Sequence, residues 1–330
     1  MRRTVGAGLL LLLLLFLPPW LRAEETNTGE RTDAPPQTEQ SVPDGGSDAA
    51  HTVRLWNGSA VETMTAAEYL PGVVRGEMPA AFEEEALKAQ AVAERTYLYY
   101  RMASAPKENH PDADVCTDSN CCTAWLSEAD ARTKWGDKFD RYEARVQQAV
   151  ADTDGQVVLY EGAPIMAVFH SSSAGATAAS GDVWTASLPY LVSVKSPEDA
   201  DSVPNYYSVN TFTAGEFRTI FCKAHPEAKL SGDTAGWIGD VTLTDAGRVA
   251  SARVGGVSVT GKELRSLYGL RSAAFTVEAA GDSVTFRVTG YGHGVGMSQY
   301  GANALAKEGK TWQEILQWYY TGVTIGLYNG

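Results

Sequence analysis

Three short stretches of this 330-residue chain carry side chains suited to chemistry. Gly76-Glu77-Met78-Pro79 sets a carboxyl between a glycine, a methionine and a proline. An apolar surround raises a carboxyl pKa and keeps it protonated near neutrality, as a general acid requires. The segment from His110 to Cys122 gathers one histidine and three cysteines in a single loop. Tyr291-Gly292-His293-Gly294-Val295-Gly296-Met297-Ser298-Gln299-Tyr300 surrounds an imidazole with glycines.

Each stretch has a chemical and a bland reading. His110, Cys116, Cys121 and Cys122 are the right number and type for a closed tetrahedral zinc site. Such a site leaves no coordination position for substrate, so a metal there is structural. The alternative is a disulfide of Cys116 with Cys121 or Cys122, with distant Cys222 as the one mate for the leftover thiol. In the glycine-rich block, glycines let main-chain N–H groups approach a ligand where a Cβ would clash. His293 could then hydrogen-bond a hydroxyl or acetamido group, with Tyr291 and Tyr300 as stacking faces. A tight turn around a satisfied histidine is the other account. Lys88 and Arg95, seven residues apart, share one helix face. They form either a cationic wall beside Glu77 or a solvated stripe in which Glu84 pairs with Lys88. A Ser/His pair in His170-Ser171-Ser172-Ser173 is not assigned as a nucleophile. Adjacent residues on an extended backbone point opposite ways, and no Gly-x-Ser-x-Gly elbow is present.

The elements that must position these groups can be read from period and caps. Thr65…Glu68 is a capping box opening a helix toward Val74. The Ala-, Leu-, Glu- and Lys-rich run 82–102 predicts the strongest helix, and 138–151 a second. Residues 52–56, 155–160 and 164–170 read as strands, the last two joined at Glu161-Gly162. Thr213…Glu216, Thr260…Glu263 and Thr311…Glu314 open three further helices. Hairpin strands are expected at 240–243, 248–254, 275–279 and 283–289. Helices and antiparallel hairpins with few βαβ units make an α+β fold, here expected to surround a substrate groove.

Composition narrows the setting. With 44% hydrophobic residues the chain buries a core, and its net charge of −13 disfavours nucleic acid as a partner. Arg2 and Arg3 precede an apolar run from Val5 to Leu17, the n- and h-regions of an export signal. Residues 1–23 are therefore either a cleaved signal peptide or a retained membrane anchor. Residues 24–50, rich in Thr, Pro, Gly, Asp and Glu, read as a disordered linker, and 51–330 as the folded catalytic region. Either fate of the leader puts the fold outside the cytoplasm.

Taken in order, these pieces resemble the stage II sporulation protein D family, exported proteins that dissolve septal peptidoglycan during engulfment. The resemblance rests on Glu77-Met78-Pro79, the run Glu85 to Ala93, Arg95-Thr96-Tyr97 and the histidine–cysteine loop 110–122. It continues through His170 to Gly175, Pro189-Tyr190-Leu191, the glycine-rich block 292–302 and Ile315 to Tyr320. It implies lytic transglycosylase chemistry on peptide-stripped glycan strands. Glu77 falls on the family's catalytic acid. Lys88, Arg95 and Tyr190 fall on polar positions around its groove, and His293, Gln299 and Tyr300 on the glycine-rich wall. It also implies a membrane-anchored protein at the sporulation septum, working with an amidase that strips stem peptides and a membrane scaffold protein. Related domains are amidase enhancers, so a non-catalytic wall-binding module is the alternative. Two positions depart from the family pattern: Glu94 stands where many relatives have a small residue, and Cys121-Cys122 where a relative has His-Cys.

Overall fold

The structure is a computed structural model that describes residues 46–328. The leader 1–23 and the linker up to residue 45 lie outside the described residues. Among the described residues no helix is long and apolar enough to cross a membrane.

The first hydrophobic core is built on helices. Helix α1 (Ala66–Glu77) starts at the full Thr65/Glu68 capping box and runs three residues beyond Val74, so that Glu77 is its last helical residue. Helix α2 (Glu84–Met102) carries Ala86, Ala89, Ala91 and Ala93, all buried. These small side chains let neighbours come close on every side. Helix α3 (Glu128–Trp135) was not legible in the sequence, and α4 (Phe139–Ala151) matches its expected span. α1, α4, the helices Gln299–Lys307 and Trp312–Tyr319, and the strand Gln156–Tyr160 all pack on α2. That strand pairs antiparallel with Thr324–Leu327 and turns back at Glu161-Gly162 onto Ala163–Pro164. The single strand expected over 164–170 is broken. Only Phe169–His170 resumes pairing, and its partner is the parallel strand Met297–Ser298. This short pairing ties the glycine-rich block to the core.

A second core, built on strands, lies farther along the chain. Strands Phe275–Ala280, Ser283–Thr289 and Tyr207–Thr213 form one antiparallel sheet, and Ile238–Leu243, Val249–Val254 and Val257–Thr260 another. Between them Phe217, Phe221, Tyr268 and Phe286 pack as near-parallel or tilted rings. The helices Ala214–Ala224 and Gly261–Leu267 start at Thr213 and Thr260, and Trp312–Tyr319 starts at Thr311, as their caps require. The α+β class is thus the observed one.

Two expectations fail on the same interaction. Residues 46–50 belong to the folded body, although their composition reads as linker. Asp48 is 2% exposed and receives both ends of the Arg95 guanidinium at 2.7 Å. Arg95, 0% exposed, also donates to Thr153 Oγ1, to the Gln156 carbonyl and to the Val150 carbonyl. Arg95 is therefore a buried strut joining α2, the end of α4 and the entry segment. It is not a groove residue. Arg95→Ala would leave the Asp48 carboxylate buried without its counter-charge, a loss of about 3–5 kcal/mol. Urea unfolding is expected to show that loss; a change below about 1 kcal/mol would exclude the strut.

Candidate functional site

Glu77 sits where α1 ends, and the cysteine loop is laid on the same turn. Trp125 Nε1–H donates to the Tyr69 carbonyl and Leu126 N–H to the Gly72 carbonyl. Ala124 N–H donates to the Glu77 carboxylate itself. This approach requires Gly76, since a Cβ there would stand 2.5 Å from the Ala124 carbonyl oxygen. Beyond the helix, Arg145 donates to the Ala80 carbonyl at 3.0 Å, Asn303 accepts from Glu83 N–H, and Gln299 Nε2–H donates to the Glu77 carbonyl at 3.0 Å. The acid's backbone is thus fixed by the cysteine loop on one side and by the helix out of the glycine-rich block on the other.

Glu77 lines two clefts. One, of about 200 Å³, also holds Tyr97, Ser119, Cys122, Thr123, Phe169 and His293. The other, of about 310 Å³, holds Pro79, Lys134, Trp135 and Tyr142. Glu77 is the one carboxyl in either lining. Burial raises its pKa, with the Ala124 hydrogen bond pulling the other way. Glu94, on α2, is 2% exposed and bonded to Gln90 Nε2–H. Burial, and then the charge of Glu77, hold its pKa well above the ordinary value. Glu94 therefore holds its proton more tightly than an ordinary carboxyl, and Glu77 ionises before it. The sequence marked Glu94 only as a departure; its closeness to Glu77 is a tertiary fact.

His293 faces the acid's cleft as a neutral ring. Val295 N–H donates to its Nδ1 at 3.1 Å, which leaves the proton on Nε2. Burial and the charges of Arg265 and Arg248 hold its pKa at about 4. Trp184 and His170 flank it, with centroids 5.4 and 5.7 Å away. The glycines around it do not serve a ligand as expected. Gly294 and Gly296 have φ of +87° and +74°, and a Cβ on them would strike Arg248 and the Val168 carbonyl. They let the loop close on the protein's own backbone, so the tight-turn account holds for them.

The other expected groove residues are engaged elsewhere. Lys88 Nζ is held by Glu84 at 2.7 Å, Asp152 at 2.9 Å and Glu85 at 3.3 Å. Tyr190 is 8% exposed, and its hydroxyl accepts from Met166 N–H. Tyr300 packs edge-on against Phe82 at 4.9 Å. Gln299 holds the backbone of Glu77. One face of the Tyr291 ring is covered by the Arg271 guanidinium at 4.1 Å. His170 does meet a serine, through a turn: Nε2 lies 2.7 Å from Ser173 Oγ. Both are buried, however, and Ser173 N–H is bonded to Glu198, so no substrate reaches the pair.

His110, Cys116, Cys121 and Cys122 converge, with all ligand atoms within 4.8 Å of one another. All four cysteines of the chain are free thiols, and the Cys121–Cys122 sulfur separation is 4.0 Å. The expected disulfide of Cys116 with Cys121 or Cys122, which needs sulfurs about 2.05 Å apart, is therefore not the observed state. His110 Nδ1 faces the Ala113 carbonyl at 3.2 Å, which turns the Nε2 lone pair toward Cys122 Sγ at 3.5 Å. Lys107 and Asn109 donate to the sulfurs of Cys121 and Cys122. Tetrahedral bonds of about 2.3 Å to sulfur make edges of about 3.8 Å; the Cys122–His110 and Cys121–Cys122 separations of 3.5 and 4.0 Å are near that length. The group can hold a metal.

The buried acid pair has a pH signature. A carboxyl whose folded pKa is raised binds a proton more tightly when folded, so its stabilisation is full below the unfolded value and is lost as pH rises through the folded one. Stability is therefore expected to fall from about pH 4.5 upward on account of Glu94. Glu94→Gln, which copies the protonated shape, should flatten that slope and raise the melting temperature at pH 8 relative to pH 5. Parallel slopes in the two proteins would exclude the raised pKa.

Comparison with known proteins agrees with this arrangement. The family model described as stage II sporulation protein matches residues 57–160, the stretch that holds Glu77, α2 and the cysteine loop. Stage II sporulation protein D of Bacillus subtilis is 41% identical over 267 residues, spanning 81% of this chain and 76% of that protein. Its counterpart in Bacillus amyloliquefaciens is 38% identical over 81% of this chain and 75% of its own length. An amidase enhancer of Bacillus subtilis is 29% identical over 78% of this chain, which covers 40% of that longer protein. With such identity over most of both chains, this protein belongs to the stage II sporulation protein D family.

Proposed function

We propose that the protein is a lytic transglycosylase that cuts the MurNAc–GlcNAc bond of peptide-stripped glycan strands during engulfment. The observation that carries the reading is Glu77: a single, partly desolvated carboxyl in a cleft that the neutral His293 ring also lines. Glycosidases that use water or a covalent intermediate need two carboxyls facing the sugar. Glu94 faces α2's interior and does not line either cleft.

One carboxyl is enough when the sugar supplies its own nucleophile. Glu77 in its acid form gives a proton to the glycosidic oxygen, and the GlcNAc 4-hydroxyl leaves. The muramyl O6 closes on C1, and its proton passes to the Glu77 carboxylate, which regenerates the acid. The product is a 1,6-anhydro sugar, and no water is consumed. Ala124 N–H and Gln299 keep the carboxyl aimed. His293, its ring held by the backbone of Val295 and of Phe169, gives the cleft a fixed neutral wall against which the strand lies. Trp135 and Tyr142 give the second cleft aromatic walls on which a sugar ring stacks. His110, Cys116, Cys121 and Cys122 would hold a zinc ion, which would stiffen the loop that carries Ala124 and keep the thiols ionised. The protein would act outside the cytoplasm at the septum, held there by its leader, on strands stripped by an amidase and beside a membrane scaffold protein.

The amidase-enhancer relative favours a second reading, in which the same groove only binds glycan and assists a hydrolase. Mass spectrometry of peptide-free glycan after incubation separates the two, because only the transglycosylase yields anhydro-muramyl ends. Glu77→Gln should lower that yield about 10²–10⁴-fold while the protein remains folded by circular dichroism. Since the acid form is the active one, kcat/KM should fall as pH rises through the raised pKa of Glu77, while His293 stays neutral throughout. Product formed by Glu77→Gln at the wild-type rate would end the assignment. For the metal, elemental analysis should find one zinc per chain, lost in Cys122→Ser; equal zinc content in both would refute the site.

A further inference from the structure

A chain of net charge −13 places four cations together beside His293. His293 lines a second, narrower cleft with Arg248, Lys262, Arg265, Asp182 and Thr244. Lys262 and Arg265 then lead into an open groove of about 520 Å³, which also holds Arg271 and Tyr291. His293 lines both the cleft of Glu77 and the narrow cleft of Arg248, Lys262 and Arg265, and the last two also line the groove of Arg271.

Among the described residues none of the four has a carboxylate within 4.0 Å. Their partners are neutral. Arg248 donates to the Gly292 carbonyl, Arg265 to the Leu270 carbonyl and Lys262 to the Val183 carbonyl, and Arg271 lies on the Tyr291 ring. Arg271 Nε is buried with no hydrogen-bond partner. Arg248 is 3% exposed, and burial together with the charge of Arg265 lowers its pKa to about 10. Elsewhere this fold matches its buried guanidinium groups with carboxylates: Arg95 with Asp48, and Arg75 with Glu143. Asp182 is the one carboxylate in the lining and pairs with none of them within 4.0 Å, so two arginines and a lysine there favour an anion arriving in the groove.

We propose that Arg248, Lys262, Arg265 and Arg271 form a subsite for the free lactyl carboxylate of a muramyl residue, and that this charge selects peptide-stripped strands. A stem peptide converts that carboxylate into an amide, which removes the charge and adds bulk. Peptide removal restores an anion that charge-assisted hydrogen bonds can hold. The inference rests on the glycan-binding reading of the groove and is independent of cleavage.

Binding is the deciding measurement, made with the full exported chain carrying Glu77→Gln so that turnover does not intervene. The probes are amidase-stripped glycan strands and the same strands with their carboxyls converted to methylamides. The free-acid strands are expected to bind about tenfold more tightly, the effect of one charge-assisted hydrogen bond. Lys262→Glu with Arg265→Gln should bring the two probes within about twofold of each other, and added salt should erase the preference in the parent protein. Lys262 is exposed, so Lys262→Glu alone serves if the pair lowers the melting temperature; it should cut the preference about threefold. Equal binding of both probes by the parent protein, or an unchanged preference in the variants, would overturn the subsite. A protein that binds with this preference yet yields no anhydro product would instead overturn the transglycosylase reading and leave the subsite standing.

Discussion

The site depends on one hydrogen bond between two parts of the chain that the sequence keeps apart: Ala124 N–H to the Glu77 carboxylate. It fixes the orientation of the acid, and it makes the cysteine loop a wall of the cleft. The loop's other contacts serve the same end. Trp125 and Leu126 bond to the backbone of α1 through Tyr69 and Gly72, and Cys122 lines the cleft beside the acid. A metal held by this loop would act on Glu77 through packing alone.

A second constraint is where charge is allowed to sit. Burial and the charge of Glu77 push Glu94 toward its protonated form, and burial and two arginines push His293 toward its unprotonated form. Burial also raises the pKa of Glu77, but the Ala124 N–H opposes that rise. A neutral imidazole matters here. An imidazolium beside Glu77 would stabilise its carboxylate and lower the pKa that a general acid needs. The arginines that hold His293 neutral are the ones left without carboxylate partners, so the electrostatics of the acid and of the cationic groove are linked through one ring.

Identity to stage II sporulation protein D is spread over most of the chain, whereas the acid, the metal-type cluster and α2 fall within residues 57–160. The glycine-rich block lies far beyond that segment. It is brought back by the pairing of Met297–Ser298 with Phe169–His170, and by Gln299 on the Glu77 carbonyl. The groove is thus a joint product of both halves.

Much of this was written in local sequence. Capping boxes at Thr65, Thr213 and Thr311 set helix starts because they satisfy backbone donors within a few residues. The Ala-rich composition of α2 and the Glu161-Gly162 turn are equally local, as is the Cys3His set. Family resemblance marked Glu77 and His293, which the structure brings to one cleft. What the sequence could not supply was the partner of each charge. Arg95 and Lys88 look like a groove wall on a helical wheel, yet Asp48 and Asp152 claim them from distant positions. Asp48 sits in a segment whose composition reads as linker. Glu94 and the four unpaired cations carry no local signal at all. Burial, and the counter-ions it supplies or withholds, arise only when segments far apart in the chain are packed together, and that step decided which polar residues are struts and which face a substrate.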